Sequence, residues 1–128
     1  AFDEATETVD KPKWEPIPHP QFKSSLKSLD QAELGALDGM VEAELAVKGM
    51  DLLRNKRKME AITCPGGGHI YEYKIQQETK RKAYKIRIFI EQKGQRLILL
   101  HVLNKKADDD EKNQREQIEL ACKRRDQV

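Results

Sequence analysis

Ala83-Tyr84-Lys85-Ile86-Arg87-Ile88-Phe89-Ile90 is the stretch that decides the fold. Tyr84, Ile86, Ile88 and Ile90 fall at alternate positions, with Lys85, Arg87 and Phe89 between them. A period of two is that of a β-strand, whose side chains point to opposite faces in turn. One face is therefore apolar and expected to be covered. The other carries two cations and one aromatic ring. Downstream, Gly94 suits a turn. Leu97 to Leu103 follows, apolar on both faces as a central strand would be. Upstream, Ile70 to Ile75 alternates as well, with Tyr71, Tyr73 and Ile75 opposite Glu72 and Lys74. The three segments read as an antiparallel meander.

Before the meander the period changes to that of a helix. Phe22, Leu26 and Leu29 share one helical face. Asp30 suits an N-cap, with Glu33 three residues on as in a capping box. Leu34, Leu37, Val41 and Leu45 continue as one stripe, and Gly49 suits its end. Gly35 and Gly39 weaken this helix unless they allow close packing. The expectation is an antiparallel helix pair lying on the Ile86, Ile88 and Ile90 face. Lys13 to Ile17 could add a short edge strand with Trp14 tucked onto the domain, because Pro12, Pro16, Pro18 and Pro20 exclude a helix. Met50 to Met59 reads as a basic linker or a further half-turn of helix. Pro65-Gly66-Gly67-Gly68 reads as a loop leading into a strand. It lacks the GxxxxGK[ST] pattern of a phosphate loop.

After the meander, Asp108, Asp109 and Asp110 suit a helix N-terminus, and Lys123, Arg124 and Arg125 its C-terminal end. The acidic run lacks the alternating spacing of a calcium loop. Ile118, Ala121 and Cys122 form the short apolar face of this last helix. Helices grouped before a small antiparallel sheet define an α+β fold. The chain of 128 residues supports one domain, taken as residues 13–128 behind a disordered acidic tail, 1–12.

The net charge of +2 conceals an uneven distribution. Between Lys74 and Lys106 ten basic residues face two acids, a net +8 in 33 residues. Such a patch suits a polyanion. No apolar run approaches the roughly 20 residues of a membrane span. The acidic N-terminal stretch has no apolar core of a secretory signal, so a cytoplasmic protein is expected. Cys64 and Cys122 cannot build a disulfide scaffold or a four-ligand zinc site by themselves. Two reduced thiols are the expectation.

In this order the segments resemble the RelE/ParE superfamily of toxins from toxin–antitoxin modules, in its HigB-like, phage-derived branch. The resemblance covers roughly Phe22 to Arg125. Phe22-Lys23-Ser24-Ser25-Leu26-Lys27-Ser28-Leu29 matches an opening FxxxLxxL helix. Ile70-Tyr71-Glu72-Tyr73-Lys74 is similar to a LyElR strand, and Tyr84 to Phe89 to a YRifyf strand. Ile98-Leu99-Leu100-His101-Val102-Leu103-Asn104-Lys105-Lys106 corresponds to ivLLhgFxKK, and Gln117 to Arg124 to a closing eIelAxxR helix. Three positions depart: Leu103 replaces Phe, Ala107-Asp108-Asp109-Asp110 replaces a threonine-and-proline stretch, and Lys74 replaces Arg. Lys lacks the bidentate fork of Arg.

The resemblance implies a RelE-like fold and metal-independent, ribosome-dependent mRNA cleavage, with no cofactor and no membrane. The partners would be a cognate antitoxin, mRNA and the ribosome. A ribose 2′-hydroxyl would attack the neighbouring phosphate. That reaction needs a base, stabilisation of the phosphoryl charge and an acid for the 5′-oxygen. The catalytic candidates are Arg87, Lys74, Lys105, Lys106 and His101. Lys80, Arg81, Lys82, Lys85, Phe89 and Arg96 are candidate RNA contacts, Phe89 by stacking on a base or else by packing under the last helix. The Arg54 to Lys58 segment would track ribosomal RNA. The alternatives are a non-catalytic protein of the same fold, such as an inhibitor of DNA gyrase, and an RNA- or ribosome-binding module.

Overall fold

A computed structural model describes residues 13–78, 83–104 and 111–127. The architecture is α+β. Strand β1 (Glu15–Pro18) is followed by helix α1 (Phe22–Ser25), which tightens into a 3-10 turn (Leu26–Ser28). Helix α2 (Gln31–Met40) runs on through a π-helical stretch (Val41–Leu45) and a last α-helical turn (Ala46–Lys48). A 3-10 segment (Gly49–Arg54) leads to β2 (Met59–Thr63), β3 (His69–Glu78), β4 (Ala83–Lys93) and β5 (Arg96–Asn104), and α3 (Glu111–Asp126) closes the chain.

The sheet is larger than a meander. Five strands lie in the order β1-β5-β4-β3-β2. β1 runs parallel to β5, and every other neighbouring pair is antiparallel. The sheet is therefore mixed. The 3-10 segment Gly49–Arg54 agrees with the half-turn alternative for Met50 to Met59, whereas the strand Met59–Thr63 was not anticipated. Among the described residues the outer edge of this strand has no neighbouring strand, and Ala61 and Thr63 are exposed, so the apolar signal that marks a central strand is weak. β1 fulfils the edge-strand expectation, shifted to Glu15–Pro18. Glu15 and His19 donate their N–H groups to the Gln95 and Leu99 carbonyls, both at 2.8 Å. Pro16 and Pro18 occupy the alternate positions, whose nitrogens face away from β5, so their missing N–H groups remove no rung of the ladder.

The β4 alternation decides the two faces. Ile86, Ile88 and Ile90 are buried with Tyr73, Ile75, Leu97, Leu99 and Val102 under α1 and α2. Phe22, Leu29, Leu37 and Leu45 from the helices complete this core, as the helical stripe anticipated. Trp14 lies over Gly49, whose φ of +49° and missing side chain permit the contact. Gly35 and Gly39 have open space where a Cβ would stand, so they do not serve close packing. On the opposite face, Cys64, Ile70, Phe89, Ile98, Leu100 and Leu103 pack with Ala121 and Cys122 of α3. Register slips once: Phe89 pairs with His101 but Ile90 with Leu99. The bulge at Leu100 lets β5 serve both cores despite its unbroken apolar sequence.

Asp30 caps α2 as expected. Its carboxylate accepts the Glu33 N–H at 2.8 Å, and the Glu33 carboxylate accepts the Asp30 N–H at 2.9 Å. Glu33 is buried, and its other oxygen accepts from Asn104 Nδ2 at 2.9 Å. The cap thus joins the helix start to the end of β5. Asp30→Ala is expected to lower stability by about 1 kcal/mol, read as a shift in the urea midpoint at unchanged slope.

The expectation of two reduced thiols is corrected. Cys64 and Cys122 form a disulfide across 58 positions, with Cα atoms 5.9 Å apart. The acidic tail 1–12, and the Asp108-Asp109-Asp110 start of the last helix, lie outside the described residues. No helix among the described residues is long and apolar enough to cross a membrane.

Candidate anion-binding cleft

The α3-facing side of the sheet is covered over only part of its length. Beyond Phe89, alternation brings Arg87 of β4 opposite Lys74 of β3, and Lys85 opposite Gln76. Glu60 of β2 lies opposite Glu72 on the same face. The turn before β2 completes a cleft of about 560 Å³, lined by Lys56, Arg57, Lys58, Glu60, Lys74, Gln76 and Arg87. Five cations thus surround one carboxylate.

Arg87 forms the floor. It is 5% exposed. Its guanidinium donates to the Gln76 Oε1 at 3.1 Å and to its neighbouring Ile86 carbonyl at 3.2 Å. Its Nε is buried without a hydrogen-bond partner among the described residues. Burial pulls the Arg87 pKa down, while the Glu72 and Glu60 charges oppose the fall. A guanidinium remains charged at any physiological pH, so the outcome is a partly desolvated cation with neutral hydrogen-bond acceptors. Such a group gains most from an incoming anion, because water is already excluded around it.

Lys74 stands beside it on β3. Its ammonium donates to the Lys56 carbonyl at 2.8 Å and pairs with the Glu60 carboxylate. Lys58 is drawn to Glu44 at 3.1 Å, at the strand margin. The turn is held by the Arg57 N–H on Asn55 Oδ1 at 3.0 Å, which leaves the Lys56 and Arg57 side chains exposed at the rim.

The structure therefore brings Lys74 and Arg87 together and separates other candidates from them. Lys85 is exposed on the same face, next to Arg87 along the strand, but does not line the cleft. Arg96 stands at the far end of β5, beside Glu15 at 3.5 Å, and is no part of the site. Phe89 is 1% exposed and lies parallel to the His101 ring with centroids 6.2 Å apart. Its packing under α3 is the one observed, and no face of the ring is open to a base while α3 is in place. His101 is 5% exposed and belongs to a different cluster. Its Nδ1 lies 2.5 Å from Ser25 Oγ and 3.4 Å from Arg124 Nη1, and its Nε2 meets Gln117 Oε1. Arg124 only donates, so Nδ1 accepts and Nε2–H donates to Gln117. Burial, with the nearby Arg124 charge, pushes the His101 pKa down to about 4. His101 is thus a neutral core histidine, with neither nitrogen turned to the cleft. Lys80, Arg81, Lys82, Lys105 and Lys106 lie outside the described residues.

Two lining residues were not legible as such from the sequence. Glu60 belongs to a strand whose pairing with β3 is non-local. Gln76 carries no charge to mark it. The period of two from Lys74 to Gln76 was the only local signal for the latter. No family model matches the chain, and neither a curated protein nor a solved structure matches it.

Proposed function

We propose that the protein binds RNA through this cleft and cleaves it, as a toxin of RelE-like fold in the HigB-like manner, acting on mRNA in the cytoplasm and held in check by an antitoxin. The observation that supports this reading is Arg87: a buried, partly unpartnered guanidinium at the floor of a cleft rimmed by exposed cations. The cleft's volume suits a nucleotide-sized group. Arg87 would hold the phosphoryl oxygens as negative charge grows on them. Lys74 and Glu60, already in contact, would supply a proton donor and acceptor next to the reacting phosphate. The exposed Lys56 and Arg57 would hold the flanking backbone without reading its sequence.

Binding should be measured by fluorescence polarisation with a single-stranded oligoribonucleotide over a salt series. Engagement of Lys56, Arg57 and Arg87 predicts a log–log slope of about −2, since single strands release roughly 0.7 counterion per phosphate neutralised. Addition of the antitoxin-free chain to a translating extract should then cut mRNA. Salt-dependent binding with intact mRNA would leave a binding module. Absence of both would remove the RNA reading.

A further inference from the structure

We propose that the Cys64–Cys122 disulfide is a redox-responsive tether that holds α3 on the sheet, and that its reduction releases this helix while the sheet stays folded. Besides the disulfide, α3 is docked by a short apolar contact and by polar side chains, among them Gln117, which accepts from His101 Nε2 on β5. The contribution of α3 to the apolar core is Ala121, Cys122 and the half-buried Ile118, whereas Leu120 is exposed. Its other anchors are polar. Arg124 is 6% exposed and donates to the Leu100 carbonyl at 2.8 Å, Ser25 Oγ at 2.7 Å and Ser24 Oγ at 3.2 Å, with its Nε buried and unpartnered. All of these acceptors are neutral, so they offset little more than the loss of hydration of the guanidinium. Arg125 reaches the Gly67 carbonyl at 3.3 Å and Glu91 at 3.9 Å from the surface of the helix.

The tether joins two unlike parts of the fold. Cys64 directly follows the last residue of β2, an edge strand, and Cys122 is on α3. Cys64 leads into Pro65 and three glycines, Gly66, Gly67 and Gly68, all at positive φ. Arg125 lies so close to Gly68 that a side chain there would collide with its guanidinium. A cavity of about 210 Å³ opens on Cys122, lined also by Pro65, Glu119, Lys123 and Asp126. This is the side from which a small thiolate would approach Cys122, past the Lys123 ammonium and the two acids.

The chemistry is thiol–disulfide exchange with a low-molecular-weight thiol of the glutathione class. A thiolate attacks Cys122 Sγ, the bond between the two cysteine sulfurs breaks, and Cys64 leaves as a thiolate that takes a proton. A second thiol attacks the mixed disulfide and frees the Cys122 thiol. Two small thiols thereby leave joined as one disulfide. Disulfides that persist belong to oxidising compartments, and a cytoplasmic one cycles. Release would uncover Phe89, Ile70, Leu100 and Leu103 on the same sheet face as Arg87. The redox cycle rests on the cytoplasmic location proposed above, whereas the docking of α3 holds whether or not the cleft takes RNA.

The test is hydrogen exchange of the whole chain, purified without reductant, before and after dithiothreitol, with thiols titrated in both states. The expected result is no free thiol before and two after. The slowest amides of α3 should then exchange at least about tenfold faster than those of β4 and β5, which remain the slowest in the chain, and reoxidation should restore the first pattern. Cys64→Ser/Cys122→Ser should behave as the reduced chain. Because the reduced wild type is measured directly, failure of that variant to fold does not disturb the test. Two thiols in the unreduced chain, or α3 amides keeping pace with β4 and β5 after reduction, would overturn the proposal.

Discussion

Arg87→Ala is expected to slow mRNA cleavage in a translating extract by about 10²–10³-fold, the usual loss when one preorganised donor to a developing oxyanion is removed. The magnitude follows from the environment of the side chain. A surface arginine would be replaced at the phosphate by water. Arg87 is buried, is hydrogen-bonded to neutral groups and keeps one N–H unpartnered, so no solvent stands ready to take its place. Arg87→Lys should recover only part of the rate, since an ammonium supplies charge without the planar fork. Arg96→Ala is the matched control, an exposed arginine beside Glu15 at the other end of the sheet, and should cleave like the wild type. All three variants should be compared at equal folded fraction by circular dichroism. Equal cleavage by wild type and Arg87→Ala would remove the cleft from the mechanism.

Acid should destabilise the protein through His101 before its carboxylates are titrated out. The folded state holds this imidazole neutral, with its pKa pushed down to about 4 by burial and the nearby Arg124. In the unfolded chain it takes up a proton near pH 6.5. Between these values the unfolded state binds a proton that the folded state refuses, so stability falls as pH falls. The stabilisation is complete above pH 6.5, and its loss amounts to about 3 kcal/mol at pH 4. Geometry explains the refusal: protonation would put an imidazolium 3.4 Å from the Arg124 guanidinium, with both buried. His19, also buried and lowered by its surroundings and Arg124, adds in the same direction. The measurement is urea unfolding of wild type and His101→Gln from pH 7 to pH 4. The variant is less stable at pH 7, having lost a fitted hydrogen-bonding ring, but should show a shallower fall with acid. Parallel curves would count against a neutral buried His101.

The residues that report the fold from sequence do so through local period. Ile86, Ile88 and Ile90 announce a covered face because neighbouring side chains on a strand must alternate, whatever lies above them. Asp30 and Glu33 announce a helix start because the capping box closes within four residues. Arg87 and Lys74 were legible as candidates for one cleft by the same parity, given only that β3 and β4 are antiparallel neighbours.

Other features depend on which distant residues the topology brings together. β5 is apolar at nearly every position, and only the bulge at Leu100 sorts its side chains between two cores. Met59–Thr63 becomes a strand because the open edge of β3 supplies its ladder, and that pairing places Glu60 against Lys74. His101 read more readily as a core histidine than as a site residue, and only the fold supplies the partners that make it one: Ser25 of α1, and Gln117 and Arg124 of α3. Cys64 and Cys122 are separated by 58 positions and meet only because α3 folds back over β5, β4 and β3 to the end of β2. The sequence by itself thus determined the α+β class, the two faces of the sheet and the cationic character of one of them, because these depend on side-chain period and charge within a few residues. Tertiary structure alone decided the fifth strand, the carboxylate in the cleft, the neutral histidine and the disulfide, because each is a contact between segments whose separation no local pattern encodes.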